Sequence, residues 1–222
     1  TADGAISIGS DTPGSVVMSG GGSAANVAAW AAEAGTTSRF VGVIGDDPLG
    51  EFLVEELAGH GTEAGVIRRP ETGSRAIAAI VGPDGNRSMV SALDPSTVLG
   101  VDDIDSSWFD EVGWVHLTAY TYLQDGGREV FAALVETIES LDIAWSVDPS
   151  SAEMLASQCR RKDVATAFEG SSILFPSEDE AGWLAGGDDP TAAAERLLEL
   201  SETVVVTCGA DGAVIARRGV PT

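Results

Sequence analysis

After residue 36, short apolar runs alternate with longer amphipathic stretches along most of this chain. The apolar runs predict buried strands at residues 39–44, 113–118, 143–147, 172–175 and 203–207. The amphipathic stretches predict helices at 48–60, 125–141, 151–168, 177–185 and 190–200. Asp47 is the expected N-cap of the first of these helices, and Pro48 occupies its first turn. Strands and helices that alternate at this spacing predict an α/β fold, in which helices cover both faces of a mostly parallel sheet.

Two segments interrupt this alternation. Residues 15–19 predict a short strand, and residues 75–92 predict a hairpin whose turn is Pro-Asp-Gly-Asn at 83–86. Antiparallel strands inserted into an α/β chain often form a separate flap over a binding site. We therefore expect one domain over residues 1–222, with a small β-lid formed by residues 7–19 and 75–92.

Composition excludes several classes of protein. The chain has 222 residues, of which 44% are hydrophobic, so it can bury a substantial core. Its 12 basic and 35 acidic residues give a net charge of −23, which argues against binding to nucleic acid or to an anionic membrane. The uncharged stretch 12–32 contains Pro13 and three consecutive glycines, so it is not a membrane-spanning helix. With two cysteines and no signal-peptide pattern, a cytoplasmic setting is expected.

A glycine-rich corner opens the first predicted helix, at 27–34. The sequence is Gly20-Gly21-Gly22-Ser23-Ala24-Ala25-Asn26. Glycines allow positive φ and close approach of a ligand to the backbone, while the first turn of a helix offers unpaired N–H groups. The amide of Asn26 can both donate to and accept from a hydroxyl pair. Such a corner suits phosphate or sugar hydroxyls, although it is equally compatible with a tight turn. The spacing does not match the dinucleotide fingerprint G-x-G-x-x-G.

The wider stretch GGSAANVAAWAAEAGTTSRFVGVIGDDPLG, residues 21–50, closely resembles the first signature of the ribokinase-like (PfkB) carbohydrate kinases. Three later segments resemble that family in the same order. They are the lid turn GPDGNR at 82–87, the segment ILFPSEDEAGWLAG at 173–186 and the strand and turn VVVTCGADG at 204–212. The resemblance covers nearly the whole chain.

This resemblance implies a ribokinase-like fold and ATP-dependent phosphorylation of a hydroxyl on a small sugar or related carbohydrate. By similarity, the sugar hydroxyls would contact Gly21, Gly22, Ser23 and Asn26. Glu180 would organise Mg²⁺ and its waters around the nucleotide, and the ATP phosphates would lie beside Thr207, Gly209 and Gly212. The lid implies a possible homodimer. Tyr120, Tyr122 and Asp148 are secondary candidates, because ligands often bind after strand ends in open α/β sheets.

The chain departs from the family pattern in three places. Ser177 stands where the family usually has Asn, and Ser177 and Glu180 also fit a capping box that needs no metal. The family's catalytic base is an Asp in a Gly-Ala-Gly-Asp stretch, and the printed chain stops at Thr222 before such a motif. The family's first strand is also missing before Thr1. No Asp of the printed sequence is therefore assigned as the base.

The sequence is compatible with three alternatives. The first is a nucleoside kinase of the same superfamily, which would need a base-sized apolar pocket. The second is a sugar- or nucleotide-binding protein that retains the scaffold without the chemistry. The third is a nucleotide-dependent oxidoreductase, which the glycine spacing disfavours.

Overall fold

A computed structural model describes residues 9, 11, 13–82, 87–92, 97–187 and 189–220. The chain divides into two compact units, one within residues 1–97 and the other within residues 98–222. The expectation of a single domain stays a prediction. Within the described ranges, no helix combines the length and apolar character that a bilayer crossing requires.

In its described residues, the first unit contains a parallel strand pair, two helices and a hairpin. Its elements are α1 (Ser23–Glu33), β1 (Ser38–Gly45), α2 (Pro48–Gly59), β2 (Thr62–Arg69), β3 (Ala76–Val81) and β4 (Arg87–Ala92). Strands β1 and β2 pair in parallel from Ser38 and Thr62 to Gly45 and Arg69, and α2 connects them. Strands β3 and β4 form a separate antiparallel pair, so the predicted hairpin is confirmed. Its expected turn at 83–86 lies outside the described residues.

Two expectations for this unit need correction. Residues 15–19 have no strand, and the side chains of Val16 and Val17 are 98% and 85% exposed. A short apolar run forms a strand only where a neighbouring strand pairs with its backbone and covers one face. Helix α1 begins at Ser23, four residues before the predicted start at residue 27 and directly after Gly22, whose φ is 108°. Strand β2 was not predicted. Its half-buried centre is flanked by the charged residues Glu63, Arg68 and Arg69, so its sequence does not read as an apolar run.

The second unit is a five-stranded sheet with helices between successive parallel strands. Its elements are β5 (Trp114–Thr118), α3 (Ala119–Leu123), α4 (Gly127–Ser140), β6 (Ala144–Asp148), α5 (Ala152–Gln158), α6 (Arg161–Phe168), β7 (Ser171–Leu174), α7 (Glu178–Ala185), α8 (Pro190–Leu197), β8 (Ser201–Thr207) and β9 (Ala213–Arg217). The strand order is β5-β6-β7-β8-β9, with the first four parallel and β9 antiparallel to β8. The predicted α/β class is confirmed, with helices flanking a mostly parallel sheet.

The core of this unit lies between the sheet and its helices. Because strand side chains alternate in direction, one face of the sheet contributes Leu117, Val147, Leu174, Val204 and Val206 to that core. Helix residues that complete it include Phe131, Ile138, Leu155, Phe168, Ala181 and Ala194. His116, Ser146 and Asp148 occupy the alternate positions of β5 and β6, on the opposite face. This alternation leaves polar side chains on one face of the sheet, close to the carboxyl ends of its strands.

The helix predicted at 151–168 is two helices, α5 and α6. Cys159 and Arg160 between them have extended backbone, with ψ of 154° and 133°. The break allows Leu155 in one helix and Val164 and Phe168 in the next to be fully buried in the same core. The sequence analysis also missed α3 and β9, which are only five residues long each; α3 packs mainly against α4, and β9 pairs with β8.

Candidate active site

The glycine corner lies at the surface of the first unit, at the start of α1. Gly22 has φ of 108°, a conformation that favours glycine, and α1 begins at the next residue without a side-chain cap. The N–H of Asn26 donates to the carbonyl of Gly22 at 2.9 Å, so Asn26 lies in the first turn as expected. Gly21, Gly22 and Asn26 are exposed and Ser23 is half-buried. The four predicted sugar-binding residues therefore share one accessible corner.

Two polar contacts hold this corner and its helix. The N–H of Gly20 donates to Oε2 of Glu56 in α2 at 3.2 Å. The hydroxyl of Thr62, which is only 3% exposed, donates to the carbonyl of Ala28 in α1 at 3.2 Å. Neither Glu56 nor Thr62 was a candidate from the sequence. Each contact joins segments more than 30 residues apart in the chain, and no local pattern indicates such a pairing.

The base of the β3–β4 hairpin is fixed to the start of α2. Asp47 Oδ1 accepts from the N–H of Gly50 and from the Ser74 hydroxyl, both at 2.7 Å, and Oδ2 accepts from the N–H of Ser74 at 2.8 Å. The hydrogen bonds from Ser74, and then that from Gly50, hold the pKa of Asp47 below its usual value. The Ser74 hydroxyl also accepts from the N–H of Gly45 at 3.0 Å. Asp47 is therefore both the expected N-cap of α2 and the anchor of the hairpin.

An open pocket of about 510 Å³ lies beside the start of α2. It is lined by Asp46, Asp47, Pro48, Glu51, Phe52 and Glu55. Four of these six side chains are carboxylates, so the pocket repels phosphate groups and none of the predicted site residues line it. We assign it no role in binding ATP or sugar.

In the second unit, Glu180 belongs to a capping box at the start of α7. The N–H of Ser177 donates to Oε2 of Glu180 at 2.7 Å, and the N–H of Glu180 donates to the Ser177 hydroxyl at 3.4 Å. Glu180 is 7% exposed. Burial raises the pKa of Glu180 above its usual value; the hydrogen bonds from Ser177 oppose this effect, and Asp148 and Asp179 add to it. The predicted capping box of Ser177 and Glu180 is confirmed.

Thr207, Gly209 and Gly212 form the turn that follows β8, next to this capping box. The N–H of Thr207 donates to the carbonyl of Pro176 at 2.9 Å, and Thr207 forms a parallel bridge with Ser177. Gly209 and Gly212 have φ of 55° and 93°, and the N–H of Cys208 donates to the Gly212 carbonyl to close the turn. The side chain of Thr207 is exposed. The fold therefore brings the predicted phosphate-binding residues and the Glu180 motif to one edge of the sheet.

Asp148 and Tyr120 lie near the same edge. Asp148 ends β6, and its Oδ1 accepts from the N–H of Ser150 at 2.8 Å. Burial raises the pKa of Tyr120, and the charges of Asp148 and Glu180 raise it further, so these three side chains share one electrostatic environment. Tyr122 is instead 5% exposed and packs edge-on against Phe131 in the core. The structure thus separates the two tyrosines that the sequence grouped together.

The acidic groups at this edge fit a magnesium ion held largely by water and nucleotide. In the described part of the chain, no three His, Cys, Asp or Glu side chains cluster closely enough to hold a metal ion by themselves. Mg²⁺ characteristically keeps several waters and binds through one or two carboxylates together with substrate phosphates. Glu180, with Asp148 nearby, is compatible with such a site.

These features define an α/β protein with a separate antiparallel hairpin, an exposed glycine corner and a glycine turn after a parallel strand. The family model "pfkB family carbohydrate kinase" matches residues 7–220, and the chain belongs to this family. The resemblance inferred from the sequence is confirmed.

Among curated proteins, the ATP-dependent 6-phosphofructokinase of Thermoanaerobacterium thermosaccharolyticum is 24% identical over 199 residues. That match covers 88% of this chain and 62% of the relative. The fructokinase of Klebsiella pneumoniae is 28% identical over 215 residues, covering 94% of this chain and 70% of the relative. The chain therefore spans 62% and 70% of the lengths of these two relatives.

The ribokinase-like fold is also found among solved structures. A putative ribokinase II from Escherichia coli, in complex with ATP and Mg²⁺, superposes with a TM-score of 0.79. The superposition covers 97% of this chain and 72% of that chain, at 19% identity. The predicted ribokinase-like α/β fold is thereby confirmed.

Proposed function

We propose that this protein is a carbohydrate kinase that transfers the γ-phosphoryl group of ATP to a hydroxyl of a small sugar or related carbohydrate. The observation that carries the proposal is the exposed glycine corner at the start of α1, in a chain that belongs to the pfkB family over residues 7–220. Its relatives include a fructokinase and an ATP-dependent 6-phosphofructokinase. Phosphoryl transfer depends mainly on positioning and charge neutralisation, which the two described clusters are suited to provide.

In this proposal the glycine corner binds the acceptor, and the cluster around the turn after β8 binds ATP and Mg²⁺. Gly21, Gly22, Ser23 and Asn26 bind the hydroxyl groups of the acceptor through backbone N–H groups and the Asn26 amide. Thr207, Gly209 and Gly212 bind the phosphates of ATP, because the turn after β8 exposes backbone to a ligand. Glu180 orients the waters of Mg²⁺, which neutralises phosphate charge when it is bound. On a chain with a net charge of −23, this neutralisation is needed for ATP to bind.

The hairpin β3–β4 is proposed as a lid that excludes water, an alternative phosphoryl acceptor. Several of its apolar side chains are exposed to solvent: Ile77 is 60% exposed, Met89 58% and Val90 65%. Ile77 and Met89 lie on one face of the hairpin and Val90 on the other. Apolar side chains exposed in this way are typical of a surface that contacts a ligand or another protein, and they support a homodimer formed through the lid. A cytoplasmic location is part of the same proposal, because ATP is its substrate.

The test is ADP formation by the natural full-length protein with ATP, Mg²⁺ and a panel of sugars, sugar phosphates and nucleosides. We expect ADP only when a sugar or sugar phosphate is present. Asn26→Ala should raise the acceptor KM about tenfold, the loss expected for hydrogen bonds to a hydroxyl pair, without changing the KM for ATP. Thr37→Ala, at an exposed position after α1, is the control.

Two outcomes contradict the proposal. Absence of ADP with every member of the panel would reject an enzyme and favour a binding protein. Activity with nucleosides alone would replace the sugar with a nucleoside as the acceptor.

A further inference from the structure

Helix α2 contacts the glycine corner near one end and the lid near the other. Glu56 accepts from the N–H of Gly20, the first residue of the corner, at 3.2 Å. Asp47, which caps the opposite end, accepts two hydrogen bonds from Ser74, two residues before β3 begins. The two side chains are nine positions apart, which corresponds to about 14 Å along a helix axis. One rigid element therefore supports both parts of the first unit that are proposed to surround the acceptor.

The contact at Glu56 involves packing as well as a hydrogen bond. A Cβ atom at Gly20 would lie 3.3 Å from the Glu56 Cβ and 3.6 Å from both its Cγ and Oε2. The backbone of Gly20 therefore packs against the side chain of Glu56, which is half-buried. Because Gly21 and Gly22 have no side chains of their own to fix them, the orientation of the corner depends on such anchors at its ends.

The opposite end of the corner is held independently. Asn26 bonds through its N–H to Gly22 within α1, and Thr62 holds α1 through the Ala28 carbonyl. The corner is thus a short glycine segment between a helix fixed by Thr62 and a residue fixed by Glu56. Loss of the Glu56 contact would release one end and leave the other in place.

We propose that Glu56 is a positioning residue for the acceptor site: its carboxylate holds the N–H of Gly20 and thereby orients the glycine corner for binding. This inference rests on the proposed role of the corner in acceptor binding. It predicts a specific effect on acceptor affinity, since the ATP-binding residues proposed above belong to the other unit. The carboxylate acts only as a hydrogen-bond acceptor here, so a neutral oxygen of the same shape can replace it.

The experiment compares Glu56→Ala and Glu56→Gln in the natural full-length protein, with Glu55→Ala as the matched control. Glu55 is the preceding residue of α2 and is exposed. We expect Glu56→Ala to raise the acceptor KM about fivefold, the factor that corresponds to one lost hydrogen bond. The KM for ATP should remain unchanged. Glu56→Gln should restore most of the affinity, because the glutamine Oε1 can accept from Gly20.

A second measurement reports on the corner without turnover. Hydrogen exchange of the peptide that contains Gly20, Gly21 and Gly22 should be faster in Glu56→Ala than in the wild type and in Glu56→Gln. Thermal unfolding of all variants establishes that they are folded. An effect caused by general destabilisation would raise both KM values together and would not be rescued by glutamine.

Each contrary result has a distinct meaning. If the wild type phosphorylates no acceptor, the proposed function fails, and this inference fails with it. If the wild type is active but Glu56→Ala matches Glu55→Ala in acceptor KM, only the positioning role of Glu56 is wrong. Equal rises in both KM values, or failure of Glu56→Gln to rescue, would also overturn that role.

Discussion

Ser177 and Glu180 cap the start of α7 reciprocally, with the N–H of Ser177 donating to Glu180 Oε2 at 2.7 Å and the Glu180 N–H donating to the Ser177 hydroxyl at 3.4 Å. The same pair lies next to Thr207, because Ser177 and Thr207 form a parallel bridge. One carboxylate therefore has a structural role and a proposed role in nucleotide binding. The two roles can be separated, since glutamine can form the capping box but carries no charge.

Glu180→Gln should leave the protein about as stable as the wild type at neutral pH, while Glu180→Ala should lose about 1 kcal/mol of unfolding free energy with the cap. Both variants should lower kcat with ATP and Mg²⁺ by about tenfold or more, because both remove the charge proposed to act on the metal's waters. Chemical denaturation and steady-state kinetics measure the two effects. Asp179→Asn, an exposed change in the same turn, is the control. Full activity of Glu180→Gln would contradict the proposed role of Glu180 in binding magnesium.

Gly45→Ala should destabilise the first unit by about 3 kcal/mol, because the added Cβ would overlap backbone atoms that cannot move freely. That Cβ would lie 2.7 Å from the N of Ser74 and 2.9 Å from the C of Gly73, in the loop held by Asp47. Gly59→Ala, at the end of α2 with no atom within 4 Å of the added Cβ, should change stability by less than about 1 kcal/mol. Denaturant unfolding of both variants measures the difference. Equal stability of the two would contradict the close packing at Gly45.

His116 should make the stability of the second unit depend on pH. Burial lowers the pKa of His116 from its usual value of 6.5, and the charge of Asp148 only partly opposes this effect. A lowered pKa favours the neutral ring in the folded state, so the stabilising contribution is present above pH 6.5 and is lost as pH falls through the native pKa. The ring is held by Ser146, whose Oγ lies 2.9 Å from both His116 Nδ1 and Trp114 Nε1.

The measurement is the unfolding free energy of the wild type and of His116→Gln between pH 5 and pH 8. The wild type should lose more stability than His116→Gln as the pH falls, whatever the offset between the two at pH 8. Parallel pH profiles would show that His116 titrates alike in the folded and unfolded states.

Local sequence was sufficient wherever a few neighbouring residues decide the structure. The Asp47-Pro48 start of α2 and the Ser177–Glu180 capping box were both predicted, because each satisfies its helix N–H groups within one turn. The four parallel strands of the second unit were located within one or two residues from their apolar runs, whereas β9 was missed. The same local patterns placed Gly22 and Asn26 at the start of a helix, and Thr207, Gly209 and Gly212 at a strand end.

Other features depended on contacts between distant parts of the chain. Strand β2 exists because it pairs with β1, and the break at Cys159–Arg160 lets two short helices bury their apolar residues in one core. The apolar run at 15–19 is not a strand, and Val16 and Val17 within it are exposed. Gly20 and Glu56 are 36 positions apart, and Asp47 and Ser74 are 27 apart. Such hydrogen bonds form only when folding brings the segments together, so the tertiary structure alone identifies the residues that support the glycine corner and the β3–β4 hairpin.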